Sequence, residues 1–210
     1  MCDEEASVAR TVPAALGLRV HSGWAALIVV GGSPRAPEIS ARRRIEMADP
    51  QMPGSQQPYH AAEGLELGKA AALLKRFRET AQGMAERGLG EVVAEARERG
   101  QGIVGCGILQ SSGRGGSSLA TTLASHALIH TADGNHFRDA LKSASEHLDL
   151  PVLEVREREL LGRASLTLGL SPKEVGRELV ELGRSLGPPW TQDQKYAALV
   201  ARLVLVGRRP

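Results

Sequence analysis

Three consecutive arginines, Arg42-Arg43-Arg44, make the densest block of positive charge in the chain. On an extended strand Arg42 and Arg44 share one face, a spacing that suits two contacts to a phosphate backbone. Lys75, Arg76 and Arg78 form a second group on a helix, and Arg208-Arg209 could extend either patch. Acids are interleaved nearby, which is equally the pattern of an ordinary solvated face. His126 and His130 stand four apart, with His136 close in sequence. Two histidines at that spacing on a helix can share a zinc ion. No Glu follows His126 as a metalloprotease requires, so the spacing is read as coincidental and no metal site is assigned. His21 and Ser22 lie in no Gly-x-Ser-x-Gly elbow. Cys106, on an apolar run, reads as a small core residue. Asp193 falls in the first turn of a capped helix, where the unpaired N–H groups and the dipole favour an acid.

The elements that must position these residues start with Ala14–Val30 (AALGLRVHSGWAALIVV), two buried strands joined at His21-Ser22-Gly23. Glu38–Met47 alternates Ile39, Ala41, Arg43, Ile45 and Met47 against charged or polar residues, the pattern of a third, half-exposed antiparallel strand. Three prolines and a glycine in Asp49–Pro58 predict a loop, with a short strand in Tyr59–Ala62. Leu65–Arg99 has helical spacing at Leu67, Ala70, Ala71, Leu74, Phe77 and Ala81, and Gly83, Gly88 and Gly90 are expected to divide it. Gly102–Leu109 reads as a central strand and Gln110–Ser118 as a flexible loop. Leu119–His130 and His136–Leu148 are expected as two helices parted by a turn at Ala132–Asn135 and capped by Asn135. Leu150–Val155 is a strand and Arg156–Leu168 a helix. Ser171-Pro172-Lys173-Glu174 is a capping box with Pro at the first helical position, and Thr191 with Gln194 starts a last helix.

At 210 residues and 42% hydrophobic content, the chain suits one domain with a core built mainly from Ala, Leu and Val. The boundaries expected are a flexible tail over 1–13, one domain over 14–206 and a basic tail over 207–210. A net charge of +2 gives no broad electrostatic footprint for nucleic acid. Cys2 and Cys106 make no disulfide framework, which fits a reducing cytoplasm. The first ten residues lack the pattern of a secretory leader. No apolar stretch approaches the roughly 20 residues of a membrane span.

This order of elements resembles the ribonuclease-H-like fold: an α/β architecture whose mixed sheet joins an antiparallel β1-β2-β3 meander to parallel strands, flanked by helices. LGLRVHSGWAALIVV is similar to the opening hairpin of RuvC-type crossover junction endonucleases, and IVGCGILQ resembles their central catalytic strand. LPVLEV, GLSPKEVGRELV and TQDQKYAALVA follow in the order of that family's later strand and helices. The resemblance implies phosphodiester cleavage by two divalent ions, which needs about four converging carboxylates. Motif on motif, the first-strand Asp falls on Arg19, the central-strand Glu at or near Gly107, and the last-helix acids on Asp193 and Tyr196. A cation at the first position repels Mg²⁺, and Asp193 remains as a relic ligand.

The reading that follows is a catalytically degenerate RuvC-like module that binds branched or duplex nucleic acid or a protein partner, and the resemblance implies a homodimer. No cofactor is expected. Arg19 is expected to pair with Asp193 in place of a metal, or else to face solvent. Arg19, Arg42, Arg44, Arg114 and Lys173 are the candidate nucleic-acid contacts, Arg114 because the resembled family sets this loop beside its substrate groove. Two other readings are carried. One is an active Mg²⁺- or Mn²⁺-dependent nuclease whose site is completed by Glu38, Glu46, Asp49 or Glu154. The other is an assembly protein that binds no nucleic acid.

Overall fold

The computed structural model describes residues 11–33, 36–111 and 117–207. Five strands form one sheet in the order β3-β2-β1-β4-β5. β1 (Val12–His21), β2 (Trp24–Ser33) and β3 (Ala36–Glu46) make an antiparallel meander, while β4 (Gln101–Gln110) and β5 (Val152–Arg156) run parallel to β1. Val12 and Pro13, expected in the tail, already belong to the sheet. The hairpin turn falls at Ser22-Gly23, where Gly23 takes φ of 82°, a left-handed conformation that glycine adopts without penalty.

Both faces of the sheet are covered. On one, Leu16, Leu18, Leu27 and Ile108 pack with Ala81, Ala85 and Leu89 of α2 (Leu67–Glu98) and Phe137 and Leu141 of α4 (His126–His147). Each of the fully buried leucines contributes about 2 kcal/mol of burial. On the other face, α7 (Gln192–Gly207) lies directly on the sheet, flanked by α5 (Leu160–Leu168) and α6 (Pro172–Leu182). Gly17 and Gly107 permit this approach. A Cβ on Gly17 would overlap the carbonyl of Ala197, and one on Gly107 would lie 2.7 Å from Val200 Cγ2.

Several expectations need correction. Tyr59–Ala62 is not a strand: Pro58–Ala61 form α1, with Pro58 at the start where its missing N–H costs nothing. The glycines do not divide α2, because its stripe Ala70, Leu74, Phe77, Ala81, Ala85, Leu89, Val92 and Ala96 is continuous and Gly88 makes room for Ile45. The break expected at Ala132–Asn135 lies earlier, between α3 (Leu119–Leu123) and α4. Asp133 and Gly134 are inside α4, where the buried Asp133 carboxylate is satisfied from outside the helix by the Tyr59 N–H at 2.6 Å. The alternation of β3 is interrupted by a register shift against β2 between Val29 and Val30, so Ala41 and Ile39 pack into opposite cores. Ser171 and Glu174 form the expected capping box at α6. No helix among the described residues is long and apolar enough to cross a membrane.

Candidate functional site

The period-2 alternation of β1 puts Ala15, Gly17, Arg19 and His21 on the face that meets α7. Ala15 and Gly17 are buried under the helix. Arg19, two residues further, emerges at the carboxyl end of the strand, where the first turn of α7 presents Asp193. Crevices at the carboxyl ends of parallel strands are where open α/β sheets build their sites.

Arg19 is held there from two sides. Its Nε and Nη2 donate to Glu157 Oε2 and Oε1 at 3.1 and 2.8 Å, a bidentate fork, and its Nη1 donates to Asp193 Oδ1. The guanidinium also lies 5.5 Å from the centroid of the Tyr196 ring. Its side chain is 21% exposed. The Glu157 hydrogen bonds raise the Arg19 pKa above its ordinary value, against the opposing effect of burial. His21 completes the group, its Nε2 lying 3.0 Å from Asp193 Oδ1.

The Arg19–Asp193 pair expected from the sequence is therefore present in the geometry, but as two members of a triad. Glu157 was not foreseen. It follows the last residue of β5, in the helical turn Glu157–Glu159. The signal that could have found it is positional: an acid immediately after a parallel strand lies at the same end of the sheet as Arg19.

Two divalent ions need about four carboxylates directed at a common space. Here the two carboxylates at this position are directed at a guanidinium, so these residues do not fit such a pair of ions. The other acids considered are engaged elsewhere. Glu46 pairs with Arg44, Asp49 accepts from the Gln51 N–H, and Glu154 meets Gln110 and Lys142. Glu38 pairs in register with Gly31, toward the far end of β2 from Trp24. Among the described residues no three carboxylates lie within 4.8 Å of one another.

Beside the triad runs an open cleft of about 370 Å³ lined by Trp24, Arg42, Arg44, Thr191, Asp193 and Gln194. His21 stacks on Trp24 with ring centroids 4.3 Å apart and an angle of 13°. The Arg44 guanidinium lies 3.7 Å from the Trp24 ring centroid and pairs with Glu46. Arg42 and Arg44 do share a face, but Arg42 donates to the carbonyls of Gly187 and Pro189, tying β3 to the segment before α7. Arg43 points to the opposite face and pairs with Glu95 at 2.8 Å. Lys173 is exposed in the first turn of α6, away from this cleft's lining. Arg114 and Arg208-Arg209 lie outside the described residues. Cys106 is buried in the sheet, and burial pushes its thiol pKa up to about 12.

No protein-family model matches the chain. No curated protein matches it either. Solved structures do. The structure described as Thermus thermophilus RuvC in complex with a Holliday junction substrate aligns over 90% of this chain and 90% of its own, with a TM-score of 0.52 at 12% identity. A second Thermus thermophilus RuvC structure gives the same score and identity, over 90% of this chain and 91% of its own. With its 3-2-1-4-5 sheet and helices on both faces, the chain has the RuvC, ribonuclease-H-like fold.

Proposed function

We propose that this protein is a nucleic-acid-binding module of RuvC fold that does not cut its substrate by the two-metal route. The single observation that carries the reading is Arg19, whose guanidinium is clasped by Glu157 and Asp193 at the carboxyl end of β1. The site thus holds its own cation, covalently fixed to the strand, and both carboxylates at this position are engaged with it.

The case for nucleic acid rests on two supports. One is the likeness of fold to a RuvC structure whose title names a Holliday junction substrate. The other is the cleft beside the triad, where Trp24 and Arg44 offer a flat aromatic–cation surface and exposed arginines flank it. The Trp24 ring is itself covered by His21 and Arg44, so the planar surface offered to a base is the exposed Arg44 guanidinium. Phosphate contacts from Arg44 would add a salt-dependent, sequence-independent part.

The test is a fluorescence-anisotropy titration of four-way junction, duplex, single-stranded DNA and RNA at two salt concentrations, with Mn²⁺ present and products resolved on a gel. Salt-sensitive binding with intact substrate is expected. Cut product would overturn the loss of the metal route. Failure to bind any of the four would overturn the nucleic-acid assignment and favour the assembly reading.

A further inference from the structure

We propose that His60, His126 and His130 form a binding site for a zinc-class divalent cation, buttressed by Asp133. This site is separate from the Arg19 triad and stands whether or not the chain binds nucleic acid.

His126, His130 and Asp133 sit at i, i+4 and i+7 on α4 and therefore share one face. His60 comes from a residue 66 positions earlier in the chain, on the short helix α1, which packs against that face. One ring nitrogen from each of the three histidines lies within 4.8 Å of the other two. Among the described residues this is the one group of three or more histidine, cysteine or acidic side chains that meets so closely.

The spacing is that of ligands. His126 Nε2 and His130 Nε2 face each other at 3.1 Å. Two nitrogens bound tetrahedrally to zinc at 2.0–2.1 Å stand about 3.3 Å apart. The imidazoles of His60, His126 and His130 are mutually edge-on, with centroids 4.5 to 5.3 Å apart and interplanar angles of 65° to 88°.

The buttress has the form that metal-bound histidines require. Asp133 is 3% exposed, and its two oxygens receive the Tyr59 N–H at 2.6 Å and His60 Nδ1 at 2.5 Å. A carboxylate on Nδ1 fixes the tautomer, leaving the His60 Nε2 lone pair free for a metal and raising its basicity. His126 and His130 are exposed, which provides an entry path. Three neutral nitrogens select a borderline cation such as Zn²⁺ over Mg²⁺, and three protein ligands leave a fourth position for water or an anionic oxygen.

The experiment is a zinc titration of the tag-free full chain against a competing chromophoric chelator, with Co²⁺ as a spectroscopic probe. One equivalent of zinc is expected, with the intense visible bands of four-coordinate cobalt. The double variant His126→Ala/His130→Ala, which alters exposed side chains only, is expected to lose both signals. Asp133→Asn should weaken zinc binding roughly 10–100-fold. His147→Ala, an exposed histidine at the other end of α4, should leave the titration unchanged. Absence of stoichiometric zinc binding in the unaltered chain would overturn the proposal. So would equal binding by the double variant.

Discussion

Arg19 and Glu157, 138 residues apart, meet through two parallel hydrogen bonds at 3.1 and 2.8 Å. The contact joins the end of β1 to the turn after β5, across β4, and Asp193 brings the start of α7 to the same guanidinium. The ion pair therefore ties three segments together at the end of the sheet where the candidate site lies. Removing the cation would leave two carboxylates facing a common space. Arg19→Met is expected to lower stability by about 1–2 kcal/mol, reduced from a fully buried pair because Glu157 is 40% exposed. Chemical denaturation of Arg19→Met, Glu157→Gln and the double variant checks this. Additive losses would show that the two residues are not coupled.

Arg19→Asp restores the acid that the RuvC resemblance assigns to this position, yet no Mg²⁺- or Mn²⁺-dependent cleavage is expected. The central-strand position falls at or near Gly107, whose space is filled by Val200. A gel assay on junction and duplex DNA reads the outcome directly. Metal-dependent cutting by this single variant would contradict the loss of the metal site.

The packing of α7 makes a sharper structural prediction. A methyl on Gly17 has no space against the Ala197 carbonyl, and backbone on both sides cannot yield as a flexible side chain would. Gly17→Ala is expected to cost about 3 kcal/mol and to loosen the Arg19–Asp193 contact two residues away. Gly90→Ala, where a methyl meets nothing within 4 Å, is the control and should be neutral or slightly stabilising.

How far the sequence carried can be judged from these same residues. The opening hairpin was readable because Ala14–Val30 is apolar on both faces and broken only at Ser22-Gly23, and the α6 start because a capping box is a local chemical signature. The Arg19–Asp193 pair was reachable only through the family resemblance. Glu157 and His60 were missed because their partners lie far away in sequence: only its place directly after β5 marks Glu157 among the charges of Arg156–Glu159, and nothing local marks a histidine after a proline-rich loop. The glycines of α2 and Asp133-Gly134 of α4 misled for the opposite reason. Local helix propensity disfavours them, and tertiary packing overrides it.

His136 provides a pH-dependent prediction. It is 7% exposed, and burial, with Arg78 adding to it, lowers its pKa to about 4 from an ordinary value near 6.5. The unfolded chain then binds a proton in a range where the folded chain does not. Stability from this residue is complete above about pH 6.5 and falls as the pH drops toward 4, by up to about 3 kcal/mol. Urea midpoints at pH 7 and pH 4.5 should show a smaller acid loss in His136→Gln than in the unaltered chain. An equal loss in both would contradict the assignment.

The central claim is that this RuvC fold holds nucleic acid at a site whose metal position is filled by Arg19. Anisotropy of a labelled four-way junction, read at low and high salt with Mn²⁺ present and followed by gel analysis of the same samples, tests it most directly. The account predicts binding that weakens steeply with salt and a junction recovered intact. A cleaved junction, or no binding at low salt, would contradict it.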